Sequence, residues 1–306
     1  MKQLVFFLVL CLFSHLYGQQ GPQIYIHILG IAQDGGYPHA GCQKNCCVDA
    51  WKNKSLGKYV CSFALVDSIS KKWWLFEATP DIKFQLNDFH QSTKGYFDYL
   101  PAGIFLTHAH IGHYTGLMHL GKEVMGTKEM PVYVLPKMKS FLENNGPWSQ
   151  LVALKNIVLK PLSEDSVLSL TSEIQIRPFT VPHRDEFSET AGFKILSSNK
   201  KYLFIPDIDK WEKWKTHIVE AVRSVDFALI DATFYANTEL PNRALSGVPH
   251  PLVTETMDLF SNEEITTKVK IYFIHFNHMN PLLWDKGKQL EVEKSGFHLA
   301  EQGARL

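Results

Sequence analysis

Apolar residues along the chain gather into short runs bounded by turn-forming residues, and the period inside each run predicts its element. Gln23-Ile24-Tyr25-Ile26-His27-Ile28-Leu29-Gly30 predicts a first strand, followed by the turn-rich Gln33-Asp34-Gly35-Gly36-Tyr37-Pro38. Residues 60–66 and 73–76 predict a pair of strands split by the polar residues 67–72. Thr79-Pro80-Asp81 opens a short helix running to residue 88, with proline at a tolerated first-turn position. The run Gly103-Ile104-Phe105-Leu106 starts a strand over residues 103–110, and a helix follows over residues 114–125. A strand at 132–135, a helix at 138–144 and several strands between 157 and 182 come next. Further strands are predicted at 202–205, 227–230 and 271–274, with helices at 210–222 and 252–260 between them. Such alternation argues for an α/β layered domain. No linker or internal repeat interrupts it.

The first residues stand apart from this pattern. Met1-Lys2 precedes an apolar core from Leu4 to Phe13, and Gly18 supplies a small residue for cleavage. This reads as a signal peptide over residues 1–18, leaving a single domain over residues 19–306. The apolar run is too short to span a bilayer comfortably. Leu10 before Cys11 disfavours lipidation. The expected location is periplasmic or secreted, with no membrane attachment once the signal is removed.

With 306 residues, a net charge of +0 and 20 Phe, 11 Tyr and 7 Trp, the chain can bury a substantial core and carries no basic excess suited to nucleic acid. Of the 5 cysteines, Cys11 leaves with the signal, and Cys42, Cys46, Cys47 and Cys61 remain. Export favours disulfides. The cluster His39-Ala40-Gly41-Cys42-Gln43-Lys44-Asn45-Cys46-Cys47 equally suits a structural zinc. Spacing alone leaves both readings open.

The densest chemistry is Thr107-His108-Ala109-His110-Ile111-Gly112-His113, directly after an apolar run. In an extended chain His108 and His110 share a face, and a turn at Gly112 brings His113 toward them. Converging neutral imidazoles suit Zn or Fe. His183 ends an alternating run and meets Arg184-Asp185-Glu186. Asp207 follows Tyr202-Leu203-Phe204-Ile205, while Asp209 is placed to cap the helix after it. Asp231 ends Phe227-Ala228-Leu229-Ile230, and His250 opens a helix. Ile271-Tyr272-Phe273-Ile274 ends on His275, with His278 three residues on.

Taken in that order, these residues resemble the metallo-β-lactamase fold superfamily over nearly all of the mature chain. The resemblance implies an α/β four-layer αβ/βα sandwich with metal at one edge. It places His108, His110 and His183 on a first ion, Asp207 as a bridge, and His113 with His275 on a second. Gly116-Leu117, the cysteine cluster after Gly35-Gly36-Tyr37-Pro38, and Ile274-His275-Phe276-Asn277-His278-Met279-Asn280-Pro281-Leu282 look most like the pyrroloquinoline quinone biosynthesis protein B-like members. The chain is also similar to the cyclic-phosphate phosphodiesterases and, more remotely, to tRNase Z. The phosphodiesterases hold a structural zinc that carries over to Cys42, Cys46, Cys47 and His278, and His250 matches a histidine they keep near the phosphate.

One position departs from the resemblance. Most hydrolases of the fold have Asp where this chain has Gly112, so the second site is short of a ligand. Asp185, Glu186 and Asp34 are the candidates to fill the gap.

The resemblance implies an exported metal-dependent hydrolase with one or two active-site ions, Zn first and Fe or Mn as alternatives. Its expected substrate is a small-molecule anionic ester or phosphodiester. His250, Glu186 and Asp185 are the candidates to move protons. Arg184 either clamps negative charge through its planar fork or pairs with Asp185 or Glu186. The rivals are an iron-dependent, oxygen-using enzyme like the cofactor-biosynthesis members, and a metal-binding protein without catalysis. A homodimer is compatible with either.

Overall fold

The computed structural model describes residues 23–240 and 247–306, and the signal peptide expected at residues 1–18 lies outside them. Two sheets form the body. One runs in the order β1 (Ile24–Gly30), β2 (Ser62–Asp67), β3 (Lys72–Phe76), β4 (Ile104–Phe105), β5 (Met130–Val134), β6 (Ile157–Pro161). The other runs from β13 (His298–Leu299) through β12 (Ile271–Ile274), β11 (Phe227–Asp231), β10 (Lys201–Ile205), β9 (Thr190–Ser197) and β8 (Ile174–Val181) to β7 (Leu168–Ser169).

The directions of pairing matter for function. β1–β2 and β2–β3 are antiparallel and the rest of that sheet is parallel, so β1, β3, β4, β5 and β6 all point one way. In the second sheet β8–β9 and β9–β10 are antiparallel and β10 to β13 are parallel, so β8, β10, β11, β12 and β13 share a direction. The carboxyl ends of these strands, and the loops leaving them, therefore collect along one rim of each sheet. In open α/β sheets that rim is where ligands bind.

Side-chain alternation builds the layers. Ile26, Ile28, Phe63, Leu65, Phe76 and Phe105 pack against Phe193, Ile195 and Phe204 of the opposite sheet. The Phe63 and Phe204 rings meet edge to face at 4.8 Å, and Phe76 meets Phe193 at 5.4 Å. The intervening residues Tyr25, Leu29, Ala64, Val66 and Leu75 face helices that contribute Leu86 and Phe89, and the turns carrying Leu117 and Leu120. Helices Ile218–Arg223, Val253–Leu259 and Lys286–Lys294 cover the outer face of the second sheet with Val222, Val253 and Val292. The result is the four-layer αβ/βα sandwich that the resemblance implies. Strands buried on both faces explain why the sequence shows continuous apolar runs more often than strict alternation.

Three predicted elements are shorter than expected, each for a local reason. The strand at 103–110 pairs only at Ile104–Phe105. Beyond it Thr107 N–H turns to Glu77 Oε2 at 3.3 Å and Ala109 N–H to Ser188 Oγ at 2.9 Å, so side chains replace the ladder. In place of a helix at 114–125 there is helix Ile111–Tyr114 and a 3₁₀ segment Thr115–Leu120. There Gly116 N–H bonds Ala78 O at 2.9 Å, which takes it out of the helical ladder. The helix at 210–222 splits into a turn at Trp211–Lys213 and helix Ile218–Arg223. Trp211 Nε1 donates to Thr256 Oγ1 and Trp214 Nε1 to Thr180 O, which anchors the segment to two different elements. Asp209 still accepts the Lys210 N–H at 2.7 Å, but the turn it serves is short.

Candidate metal centre

Every ligand predicted for the active-site ions sits at that rim. His108, His110 and His113 follow β4, His183 follows β8, Asp207 follows β10, and His275 follows β12. Helix Ile111–Tyr114 begins directly after His110, so its first turn lifts His113 back toward His108, ring centroids 4.2 Å apart.

Four ligand atoms converge first. His108 Nε2 lies 2.8 Å from His110 Nδ1 and 3.4 Å from Asp207 Oδ2. His183 Nε2 lies 3.2 Å from His110 Nδ1 and 3.2 Å from Asp207 Oδ2, and His110 Nδ1 is 4.0 Å from that oxygen. A tetrahedral ion with bonds of 2.0–2.1 Å has ligand–ligand edges of roughly 3.3 Å. The spacing fits that polyhedron. His108, His183 and Asp207 have side chains at most 2% exposed. Buried lone pairs this close repel one another unless a proton or a cation lies among them.

A second group adjoins it, formed by Asp34, His113 and His275. His113 Nε2 is 3.6 Å from Asp34 Oδ1 and 3.9 Å from Asp207 Oδ2, so Asp207 reaches toward both groups. His113 Nε2 and His275 Nε2 are buried without a hydrogen-bond partner, as expected of nitrogens that present a lone pair to an ion. Of the three gap-filling candidates, Asp34 is the one that reaches this group.

The opposite ring nitrogens show how the histidines are held. His275 Nδ1 is 3.0 Å from Thr233 Oγ1, whose hydroxyl donates to Asp231 Oδ1 at 2.7 Å. With its proton so used, Thr233 must accept from His275 Nδ1–H, which leaves Nε2 bare. His113 Nδ1 faces Glu77 Oε1 at 3.4 Å, and His108 Nδ1 contacts Thr107 Oγ1 at 2.9 Å. His110 Nε2 contacts Glu186 Oε2 at 3.0 Å. Outer partners of this kind fix tautomer and orientation in metal sites.

Burial lowers His108 well below its ordinary value and holds His275 at about 4. Burial also opposes charge on His250, yet Asp207 and Asp231 outweigh it and push that histidine up to about 10. His250 Nδ1 lies 3.1 Å from Asp207 Oδ1 and 3.0 Å from Asp231 Oδ2. That pairing commits Nδ1 and leaves Nε2 as the atom able to meet a substrate. Glu186 stands behind His110 rather than apart from it. The Glu186 carboxyl is held below its usual range first by this hydrogen bond. Arg184 Nη1 lies 3.6 Å from Glu186 Oε1, which is the pairing alternative for Arg184. Asp185 accepts from Thr190 Oγ1 at 3.0 Å.

The sequence reading missed Glu77, Thr107 and Thr233, and it gave Asp231 no role. Glu77 ends an apolar strand much as Asp207 does, a usable signal. The two threonines carry no periodic signature.

In a separate group, Cys42, Cys46, Cys47 and His278 bring their ligand atoms within 4.8 Å of one another. Cys42 Sγ and Cys46 Sγ are 3.8 Å apart, the edge of a tetrahedron with ~2.3 Å metal–sulfur bonds. All four cysteines among the described residues are free thiols, and Cys61 is buried and takes no part in the cluster. The disulfide alternative is therefore not formed, and both adjacent cysteines join the group.

Residues 72–276 match the family model described as Beta-lactamase superfamily domain. Coenzyme PQQ synthesis protein B of Methylococcus capsulatus is 25% identical over 309 residues, covering 92% of this chain and 99% of the relative. The structure of Zn(2+)-bound PqqB from Methylobacterium extorquens superposes with a TM-score of 0.74 at 20% identity, covering 92% of this chain and 99% of that one. A diphosphatase from the PhnP family superposes with a TM-score of 0.67 at 18% identity, covering 92% and 96%.

Proposed function

The chain belongs to the beta-lactamase superfamily, and from that premise we propose that it is an exported metal-dependent hydrolase acting on a small anionic ester or phosphodiester. One observation carries the reading. His108 Nε2, His110 Nδ1, His183 Nε2 and Asp207 Oδ2 close into a buried polyhedron of ionic size. Nitrogen-rich ligands with one carboxylate suit Zn first and Fe or Mn after it. Bound there, a divalent ion supplies a Lewis acid that lowers the pKa of water toward ~7.

The residues around it divide the remaining tasks. Asp207 offers one oxygen to the ligand cluster and the other to His250 Nδ1. His250, held by Asp207 and Asp231, presents Nε2 to a substrate oxygen, where it stabilises negative charge and can deliver a proton to the leaving group. Glu186 keeps His110 in the tautomer whose Nδ1 is free to ligate. Arg184 is half exposed at the same mouth and is available to an anion once it leaves Glu186. The Cys42, Cys46, Cys47 and His278 cluster serves as a structural zinc site.

The decisive test is metal analysis of the purified mature protein, with turnover of bis(p-nitrophenyl) phosphate measured in Zn, Mn and Fe. Turnover that His183→Ala abolishes supports the reading, and absence of turnover with all three ions removes it. Export is tested by the mass of the cell-produced protein, which should begin at Gln19.

A second reading is supported by the near full-length likeness to coenzyme PQQ synthesis protein B. Three histidines and a carboxylate also suit Fe(II) in an oxygen-using enzyme. Anaerobic purification with iron, followed by oxygen uptake on a quinone precursor, separates this from hydrolysis.

A further inference from the structure

Gly112 lacks the side chain expected there, and another residue fills its space. A Cβ built on Gly112 would lie 2.6 Å from Asp34 Cα and closer still to Asp34 Oδ1. Backbone atoms do not tolerate that approach, so residue 112 must stay glycine while Asp34 keeps its place. The Gly112 N–H donates to Asp34 Oδ1 at 3.2 Å.

The same oxygen faces one of the two unpartnered histidine nitrogens. It is 3.6 Å from His113 Nε2, and Asp34, His113 and His275 each bring one ligand atom to within 4.8 Å of the others. His113 and His275 are fully buried, and their Nδ1 atoms are engaged by Glu77 and Thr233. The Asp34 loop is fixed rather than loosely laid over the site. Gln33 N–H bonds Phe276 O at 2.8 Å, Phe276 N–H bonds Ile31 O at 2.8 Å, and Asn277 Nδ2 donates to Gln33 Oε1 at 2.6 Å. These bonds tie Asp34 directly to the strand end that carries His275.

We infer that Asp34 is the carboxylate ligand of a second ion position formed with His113, His275 and the shared Asp207. The acid missing at residue 112 has been relocated to a different loop, and Gly112 is the vacancy that admits it. This rests on the metal-dependent reading above.

The test compares the wild type with Asp34→Ala, with the exchange Asp34→Gly plus Gly112→Asp, and with His108→Ala as a control. Each protein is loaded with Zn(II) alone, dialysed, and measured by elemental analysis and by titration against a competing chelator. Melting curves check folding. Asp34→Ala should hold one equivalent less than wild type, or bind its weakest ion more than ~100-fold less tightly, beyond the loss usual for an outer partner. The exchange should restore that ion. An unchanged count and affinity in Asp34→Ala overturns the inference, as does an exchanged protein that stays one equivalent short. If His108→Ala also leaves the count unchanged, the metal-dependent reading itself fails, which distinguishes the two failures.

Discussion

Asp231→Asn is a near-isosteric change at a residue that touches no proposed ligand position yet organises two of them, His275 and Asp207, together with His250. The Asp231 carboxylate is fully buried and accepts four hydrogens. Oδ1 takes the Thr233 N–H at 2.8 Å and the Thr233 hydroxyl at 2.7 Å. Oδ2 takes the Ile208 N–H at 3.1 Å and His250 Nδ1 at 3.0 Å. An amide has one oxygen and one NH₂, so either orientation sets donor against donor on one side. If the NH₂ faces Thr233, the hydroxyl can reverse and accept. Its proton then points at His275 Nδ1, which forces that imidazole's proton onto Nε2, the atom proposed to ligate. The Thr233 N–H is still orphaned. If the NH₂ faces the other way, Ile208 N–H loses its partner beside Asp207. Each orphaned buried donor costs about 1–3 kcal/mol, and loss of a charged acceptor adds about 1–2 kcal/mol. A total of about 3 kcal/mol corresponds to a fall in Tm of about 5 °C for a domain of this size. Ion affinity should drop about 10–100-fold, as it does when outer partners of metal ligands are removed. Calorimetry of the ion-free protein reads the first effect and chelator competition the second. A variant that melts within about 1 °C of wild type and binds ions equally well refutes the account.

Three further outcomes follow from separate parts of the molecule. Glu186→Ala removes the partner of His110 Nε2 at a side chain 47% exposed, so stability should hold within about 0.5 kcal/mol while ion affinity falls about 10–100-fold; equal affinity by chelator competition counts against the assigned role. Cys47→Ser should remove one ion per chain without touching the rim centre, and an unchanged ion count in elemental analysis would deny the cysteine site. His27 lies in β1 with Nδ1 buried and unpartnered, and burial, helped by Arg305, holds it at about 4. The unfolded chain therefore binds the extra proton between about pH 6.5 and 4, and stability falls as pH drops through that window. His27→Leu should gain on wild type by about 3 kcal/mol between pH 7.5 and pH 4 in paired urea titrations, and a pH-independent difference would disprove the assignment.

The layered fold and six proposed ligands were legible in the sequence for one physical reason. Parallel strands deliver their carboxyl ends to one rim, so a histidine or aspartate directly after an apolar run is a rim residue before any coordinates exist. His183, Asp207 and His275 follow that rule. Asp34 does not. It stands in Gln33-Asp34-Gly35-Gly36, where aspartate is an ordinary turn residue, and its meaning depends on Gly112, 78 positions away. Thr107 and Thr233 are equally silent, because a hydroxyl that sets a tautomer leaves no hydrophobic period. The helix expected at 210–222 failed for a related reason: Trp211 and Trp214 anchor to Thr256 and Thr180 on different elements.

Backbone conformation supplies the remaining link between fold and site. Glu77 and His275 each end a strand in the left-handed region, at φ 72 and φ 69, where residues other than glycine are uncommon. Each costs about 1–3 kcal/mol relative to an extended backbone. Continued as strand, neither backbone would take the turn that the rim imposes on it here. Both are overdetermined by neighbours: Glu77 N–H bonds Phe105 O at 2.9 Å, and Phe276 N–H, next to His275, bonds Ile31 O. The two strained residues meet through His113, whose Nδ1 faces Glu77 and whose ring lies 5.2 Å from that of His275. Strain at two distant points of the chain thus converges on the ion position that also draws in Asp34. Such strain persists only where the surroundings over-determine it, as the bonds on either side of Glu77 and His275 do here.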